Sequence, residues 1–277
     1  MSAFPDYSQL VFSGGGIRCF WHGGFLEVYE TEHPLQPNHV SGVSGGALSA
    51  AAWIGKRERT LLDLMSEAFR LNDANFDLHR SNLTPHQELY RAVVETTMDQ
   101  EAIDRVADGP ALEISMSIPP GGMPARAAAA IYGVLYKLDQ AVRSTPHLVL
   151  PRTLGLGQLV ADGRQAARDG VLVDLICAAA TIPPVFDVPN WNGTRVLDGG
   201  MFDKAPALGP EPGETLVLLT SEYRNIPDIA GRTYLQPRCP VPADKIDFTD
   251  PQKVVDTWEQ GRRDARAVLN ERSREAA

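Results

Sequence analysis

The stretch Val40-Ser41-Gly42-Val43-Ser44-Gly45-Gly46-Ala47-Leu48 leaves the chain few folds to choose from. It carries Gly-x-Ser-x-Gly with Ser44 at the centre. Read as a nucleophile elbow, a short strand ends near Val43 and a helix begins after Ser44. The turn between them is tight enough to strain the serine backbone and project its hydroxyl into open space. Gly42, Gly45 and Gly46 then have to be small, because a Cβ there would meet strand or helix. The small apolar residues from Ala47 to Ile54 follow as a good helix former that packs close to a sheet. The competing reading is a glycine-rich loop with an incidental serine.

The flanking segments suit the elbow. Leu10-Val11-Phe12 reads as a buried strand stopped by Ser13-Gly14-Gly15-Gly16. Residues 23–32, with Phe25, Leu26 and Tyr29, read as a helix that Pro34 and Pro37 end. Strand, turn, helix, strand, elbow, helix implies a parallel sheet covered by helices. Residues 58–106 show helical spacing at Leu61, Leu62, Met65 and Phe69, and residues 112–118 alternate as a half-exposed strand. After the break at 119–124, Ala128, Ile131, Leu135, Leu138 and Val142 mark a helix. It is either an ordinary packed layer or a cover over an apolar site. Residues 148–157 read as an irregular connection. A helix over 171–180, short strands at 195–197 and 216–219, and an amphipathic helix from Val254 to Leu269 complete the pattern.

With 277 residues and 43% hydrophobic content, one large domain over 1–277 is expected, with 119–160 as a candidate cover or insertion. The net charge of −9 argues against a nucleic-acid partner. It also disfavours strong adsorption to anionic lipid, while leaving lipid substrates open. Cys19, Cys177 and Cys239 form no CxxC pair, so neither a disulfide framework nor a zinc cluster is indicated. The first residues resemble no signal peptide, and no apolar run is long enough to span a membrane, so a cytoplasmic location is expected.

Three patches carry chemistry. Gly14-Gly15-Gly16-Ile17-Arg18 offers successive backbone N–H groups at a helix start, an anion-binding concavity. As a dinucleotide loop it lacks the third glycine, since Cys19 stands there. As an oxyanion hole it needs only a pair of donors and a positive neighbour. A plain structural turn remains the third option. The second patch is the elbow. The third is Asp198-Gly199-Gly200 at the end of a strand, where the bland alternative is a turn aspartate. All three fall at predicted carboxyl ends of strands, where open α/β sheets place their sites. A nucleophile, an acid partner and an anion hole are the parts for acyl transfer. No histidine follows Asp198, and the last one is His147, so the order Ser, Asp, His cannot use Asp198. A triad of Ser44, another aspartate and His147 stays open on paper.

The succession Gly14-Gly15-Gly16-Ile17-Arg18, Gly42-Val43-Ser44-Gly45-Gly46 and Asp198-Gly199-Gly200 resembles the patatin-like phospholipase family. The segment from Ala178 to Phe186 looks like the one that leads into that family's Asp-Gly-Gly strand. The resemblance implies a three-layer α/β/α sandwich around a mainly parallel sheet. It also implies hydrolysis of lipid acyl esters without metal or cofactor, by a Ser–Asp dyad lacking histidine. Carried over, Ser44 is the nucleophile and Asp198 its base. The loop of Gly14, Gly15, Gly16 and Arg18 is the oxyanion hole, with the Gly15 and Gly16 amides donating and Arg18 supporting them. Gly42, Gly45, Gly46, Gly199 and Gly200 shape the site. The implied partner is a lipid or acyl-ester substrate, with peripheral membrane contact as an option. Two departures stand out: Cys19 where the family usually has glycine, and Lys204 where asparagine is common. Rival functions are an acyltransferase on the same site and a non-catalytic lipid-binding module.

Overall fold

The computed structural model describes residues 4–75, 84–183, 185–208 and 213–275. Four consecutive buried residues, Gln9–Phe12, form β1. A single 3₁₀ turn, Gly16–Cys19, leads into α1 (Phe20–Tyr29). Next come β2 (His39–Val43), α2 (Gly45–Gly55), α3 (Glu58–Arg70), α4 (His86–Thr97) and α5 (Gln100–Asp108). Then follow β3 (Ala111–Ile118), α6 (Ala125–Arg143), the one-turn α7 (Leu150–Thr153) and β4 (Gly157–Asp162). After α8 (Gly163–Arg168) and α9 (Leu172–Ala179), β5 (Asn190–Trp191) and β6 (Thr194–Arg195) make a small hairpin. The chain closes with β7 (Leu197–Asp198), β8 (Thr215–Leu218), β9 (Arg232–Leu235) and α10 (Pro251–Glu275).

The main sheet runs β4-β3-β2-β1-β8-β9, with β7 also on β3. Five of these strands are mutually parallel, and β4 and β7 run antiparallel to β3. Helices flank the sheet, which makes the fold an α/β/α sandwich. Leu10 and Phe12 face the main core with α1, α2 and α10, whereas Val11, Val217 and Leu219 face the opposite side with Ala205 and Tyr223. Alternate residues of one strand thus serve two cores, as the period of two requires.

Four segments differ from the sequence expectation, each for a tertiary reason. Helix α1 begins three residues before Gly23, because the two glycines inside it are where α10 lies across it. A Cβ on Gly24 would stand 1.9 Å from the Trp258 carbonyl oxygen. Strand β3 is not half-exposed, since its polar residues Ser115 and Ser117 are fully buried. Ser117 Oγ donates to the Asp198 carbonyl, and Ser115 Oγ accepts from Gln158 Nε2. The alternation that reads as an exposed face is a buried polar seam between strands. The 148–157 connection holds α7, and the unexpected β4 follows it as an antiparallel partner of β3. In α6 the buried face consists of Ala125, Ala128, Ala129, Tyr132 and Asp139, while Ile131, Val134, Leu138 and Val142 point outward. Among the described residues no helix is long and apolar enough to cross a membrane.

Candidate active site

Ser44 sits between β2 and α2 with φ 55° and ψ −132°. A non-glycine residue there carries strain on the order of 1–3 kcal/mol, held in place by its surroundings. Those surroundings have no slack. A Cβ on Gly46 would lie 2.4 Å from the Phe12 carbonyl oxygen, and one on Gly45 would lie 2.5 Å from that of Gly16. A Cβ on Gly42 would meet Ala47 Cα at 2.6 Å. The clashes expected from the elbow are therefore present at all three positions. Ser44 also caps α2, whose positive end favours negative charge on its oxygen.

Sheet register brings Asp198 to this turn. Val43 pairs with Ser115, and the next residue of β3, Met116, pairs with Asp198. Strand β7 runs against β3, yet it delivers Asp198 to the sheet edge where β1 and β2 end. The carboxylate stays there because its amide donates to the Thr181 carbonyl at 2.8 Å, and Ser117 Oγ donates to its own carbonyl at 2.8 Å. The Gly200 amide donates to Oδ1 at 2.7 Å, and Ser44 Oγ donates to Oδ2 at 2.5 Å. The last distance is that of a charge-assisted O–H···O⁻ bond. Both residues are nearly closed to solvent, at 6% and 4% exposure. Burial pushes the Asp198 carboxyl above its ordinary range. The Ser44 hydroxyl, the Gly200 amide and the ammonium groups of Lys245 and Lys204 pull the other way without cancelling that effect.

The glycine loop lies against the same turn. Gly14 is not a free donor, because its amide is bonded to the Lys204 carbonyl at 2.8 Å. The amides of Gly15 and Gly16 bond no acceptor from another element among the described residues, and the Gly15 amide faces the Cys19 sulfur. Gly15 sits hard against Thr220, whose Oγ1 donates to the Gly14 carbonyl at 3.0 Å. Arg18 braces the loop from behind: Nε donates to the Ala243 carbonyl and Nη1 to Ser221 Oγ, each at 3.3 Å. Cys19 is buried, its thiol pushed up to about 12 by desolvation, and it donates weakly to the Ser13 carbonyl. It packs under the elbow, 3.1 Å from where a Gly45 Cβ would be.

An apolar pocket opens at Ser44. Phe20, Leu48, Met65, Tyr90, Phe186 and Phe248 are among the side chains that line it. These residues come from separate elements and show no joint signal in the sequence. Lys245, Thr220 and Ser117 carry no signal in the sequence either, because tertiary contact alone brings them to this site.

Among the described residues no histidine bonds Ser44 or Asp198. His147 Nδ1 faces both oxygens of Asp203 at 3.0 Å, and its Nε2 meets Tyr234 Oη at 2.9 Å. His86 Nε2 bonds the Ile246 carbonyl at 2.8 Å. His22, fully buried, is lowered to about 3 by desolvation. His79 and Pro184 lie outside the described residues. No group of three or more His, Cys, Asp or Glu side chains among the described residues is placed to hold a metal ion.

A family model, Patatin-like phospholipase, matches residues 10–210, a span that holds the glycine loop, the elbow and Asp198. No curated protein matches the chain. Among solved structures, the crystal structure of VipD from Legionella pneumophila is similar in fold, with a TM-score of 0.56. That likeness covers 97% of this chain and 67% of the other, at 11% identity.

Proposed function

Because this chain belongs to the patatin-like phospholipase family, we propose that it is a serine acyl hydrolase of lipid esters working through Ser44 and Asp198. The observation that carries the proposal is the 2.5 Å bond from Ser44 Oγ to Asp198 Oδ2 at the mouth of an apolar cavity. In the first step Oδ2 takes the hydroxyl proton while Oγ attacks the ester carbonyl carbon. The carbonyl oxygen becomes an oxyanion over the Gly15 and Gly16 amides. Collapse breaks the bond to the leaving alcohol, which receives the proton from Asp198, and an acyl-enzyme remains. Asp198 then deprotonates water, which attacks the acyl carbon. Fatty acid leaves, and Ser44 regains a proton. The cavity takes the acyl chain and keeps bulk water from it.

The test is intact-mass measurement of the wild-type protein after brief exposure to lysophospholipids and to short p-nitrophenyl esters. A mass increase of one acyl group on Ser44, with fatty acid released, is expected. Fatty acid production with no acyl adduct under single-turnover quenching contradicts the covalent route. Repeating it with alcohol acceptors separates a hydrolase from an acyltransferase, since the latter would form new esters.

The proposal takes 1–277 as one cytoplasmic catalytic domain, with 119–160 covering the site and meeting the lipid surface. Helix α6 supports this. Its inner face packs on Leu197 and Met201, beside the dyad. Its outer face exposes Val134 at 57%, Leu138 at 51% and Val142 at 77%, continued by Leu154 on the segment after α7. The exposed charges of α6 are Arg126, Lys137 and Arg143, all positive in a chain of net charge −9. An apolar stripe with basic flanks next to a lipid-cleaving site fits the plane of a phospholipid surface. Replacing Leu138 and Val142 together by Glu is expected to lower hydrolysis of vesicle-borne long-chain substrate by about tenfold or more. Hydrolysis of a soluble short-chain ester should change by no more than about twofold. Equal loss on both substrates would show that the stripe has no interfacial role.

A further inference from the structure

Next to the dyad the structure gathers two ammonium groups that no carboxylate among the described residues pairs with. Lys204, only 4% exposed, stands over the rings of Tyr136 and Tyr223, with Nζ 5.7 Å from each centroid. Lys245 lines the Ser44 cavity, and its Nζ donates to Tyr136 Oη at 2.6 Å while standing 4.6 Å from the same ring centroid. Among the described residues neither lysine makes an ion pair. Asp198 feels both charges, but its two oxygens are already engaged by Ser44 and the Gly200 amide. The count is therefore two cations to one committed anion, in a place largely shut off from water. Buried like charges are costly unless something of opposite sign joins them. Burial and the charge of Lys204 push Lys245 below its ordinary range. Burial pushes the Tyr136 phenol up, but the two ammonium groups outweigh it and bring it down to about 8.

Substrate can supply the missing charge. We propose that Lys204, Lys245 and Tyr136 form a subsite for a phosphate group carried by the substrate, so that the enzyme selects phosphate-bearing acyl glycerols over neutral glycerides. The proposal rests on the acyl-hydrolase reading for its location and adds what is recognised there. Lys245 spans both functions. Its residue borders the acyl cavity, and its ammonium donates to Tyr136 Oη, which is not among the residues that line that cavity. An ester whose acyl chain fills the cavity can place a phosphate four or five bonds beyond the scissile oxygen near these ammonium groups. A neutral glyceride leaves them unpaired.

The test uses full-length protein and two ligands with the same acyl chain, lysophosphatidylglycerol and monoacylglycerol, in the same neutral detergent. Binding is measured by calorimetric titration on Ser44→Ala protein, so that the readout does not depend on turnover. Lys245→Met in that background is expected to weaken lysophosphatidylglycerol by about tenfold or more and monoacylglycerol by less than about threefold. Lys245→Arg should restore most of the difference. In active protein the kcat/KM ratio between the two lipids should fall by a similar factor, chiefly through KM. Lys204→Met is the second variant, with circular dichroism to establish folding. If it does not fold, Lys245→Met and Lys245→Arg decide alone. A ligand preference unchanged by Lys245→Met, or loss of equal size on both ligands, overturns the subsite. Glycerol phosphate without an acyl chain is the third ligand. Lysine-dependent binding as tight as that of the lipid would overturn the lipid-borne source and assign the site to free phosphate. Wild-type protein that binds the phospholipid in a lysine-dependent way yet cleaves no ester would keep the subsite and refute the hydrolase.

Discussion

Ser44→Ala is expected to abolish ester hydrolysis, by on the order of 10⁴-fold or more in kcat, in a protein that stays folded. The loss follows from removing the hydroxyl that donates to Asp198 Oδ2 at 2.5 Å beside the cavity. The fold should tolerate it. Alanine keeps the Cβ that the elbow already accommodates, and the strain at φ 55° belongs to the backbone and persists unchanged. One hydrogen bond to a buried carboxylate disappears, worth roughly 1.5–3 kcal/mol, and proton uptake by Asp198 offsets part of that. A change of 1 kcal/mol moves the melting temperature of a chain this large by about 2–4 °C, so a shift of several degrees downward is the outer bound. The measurement pairs a thermal melt with single-turnover release of p-nitrophenol. A folded variant that keeps more than about 1% of wild-type turnover would move the nucleophile elsewhere.

The second large effect separates a carboxylate base from a histidine base. Asp198→Asn is expected to lose about 10³-fold or more, because an amide of the same shape cannot take the proton from Ser44. His147→Ala should stay within about tenfold of wild type, since its ring faces Asp203 and Tyr234. The wild-type pH profile supplies a consistent sign. The base works only when ionised, so activity is lost as pH falls through the Asp198 pKa. Burial raises that pKa, so the acid limb lies above the ordinary value of about 3.9. The limb alone does not distinguish a raised aspartate from a histidine near 6.5, and the two variants do. A dead His147→Ala beside an active Asp198→Asn would replace the dyad by a triad.

Much of this arrangement was legible because it is local. The elbow is five consecutive residues, and backbone sterics at Gly42, Gly45 and Gly46 can be judged without a fold. The glycine loop and Asp198-Gly199-Gly200 are likewise short runs that end strands. Helix–sheet alternation up to α2 follows from apolar spacing. What could not be read is non-local. Gly14 belongs to the glycine loop in the sequence, but nothing there shows that its amide is spent on the Lys204 carbonyl, 190 residues away by number. Ser115 and Ser117 look like the wet side of a strand because their partners, Gln158 and Asp198, arrive from later in the chain. Lys245 stands in a stretch with no periodicity, so nothing in residues 236–250 points to the cavity it lines. The outward turn of α6 was obscured because alanines hold its inner face, which leaves the larger aliphatics to solvent.

The bracing of the glycine loop bears on how the enzyme is born. Arg18 is tied to Ala243 and Ser221, and Gly14 to Thr220, across 203 to 225 residues of chain. Ile17 is bonded to the Lys245 carbonyl, and α10 crosses α1 backbone to backbone at Gly24. Contacts of such separation form late, after most of the loop-closure entropy has been overcome. During synthesis the glycine loop emerges early, but its shape waits for residues 220–258, which brace it. Ser44 is thus made long before the loop beside it is held, so any activity that needs both is expected only after residues 220–258 have folded against the loop.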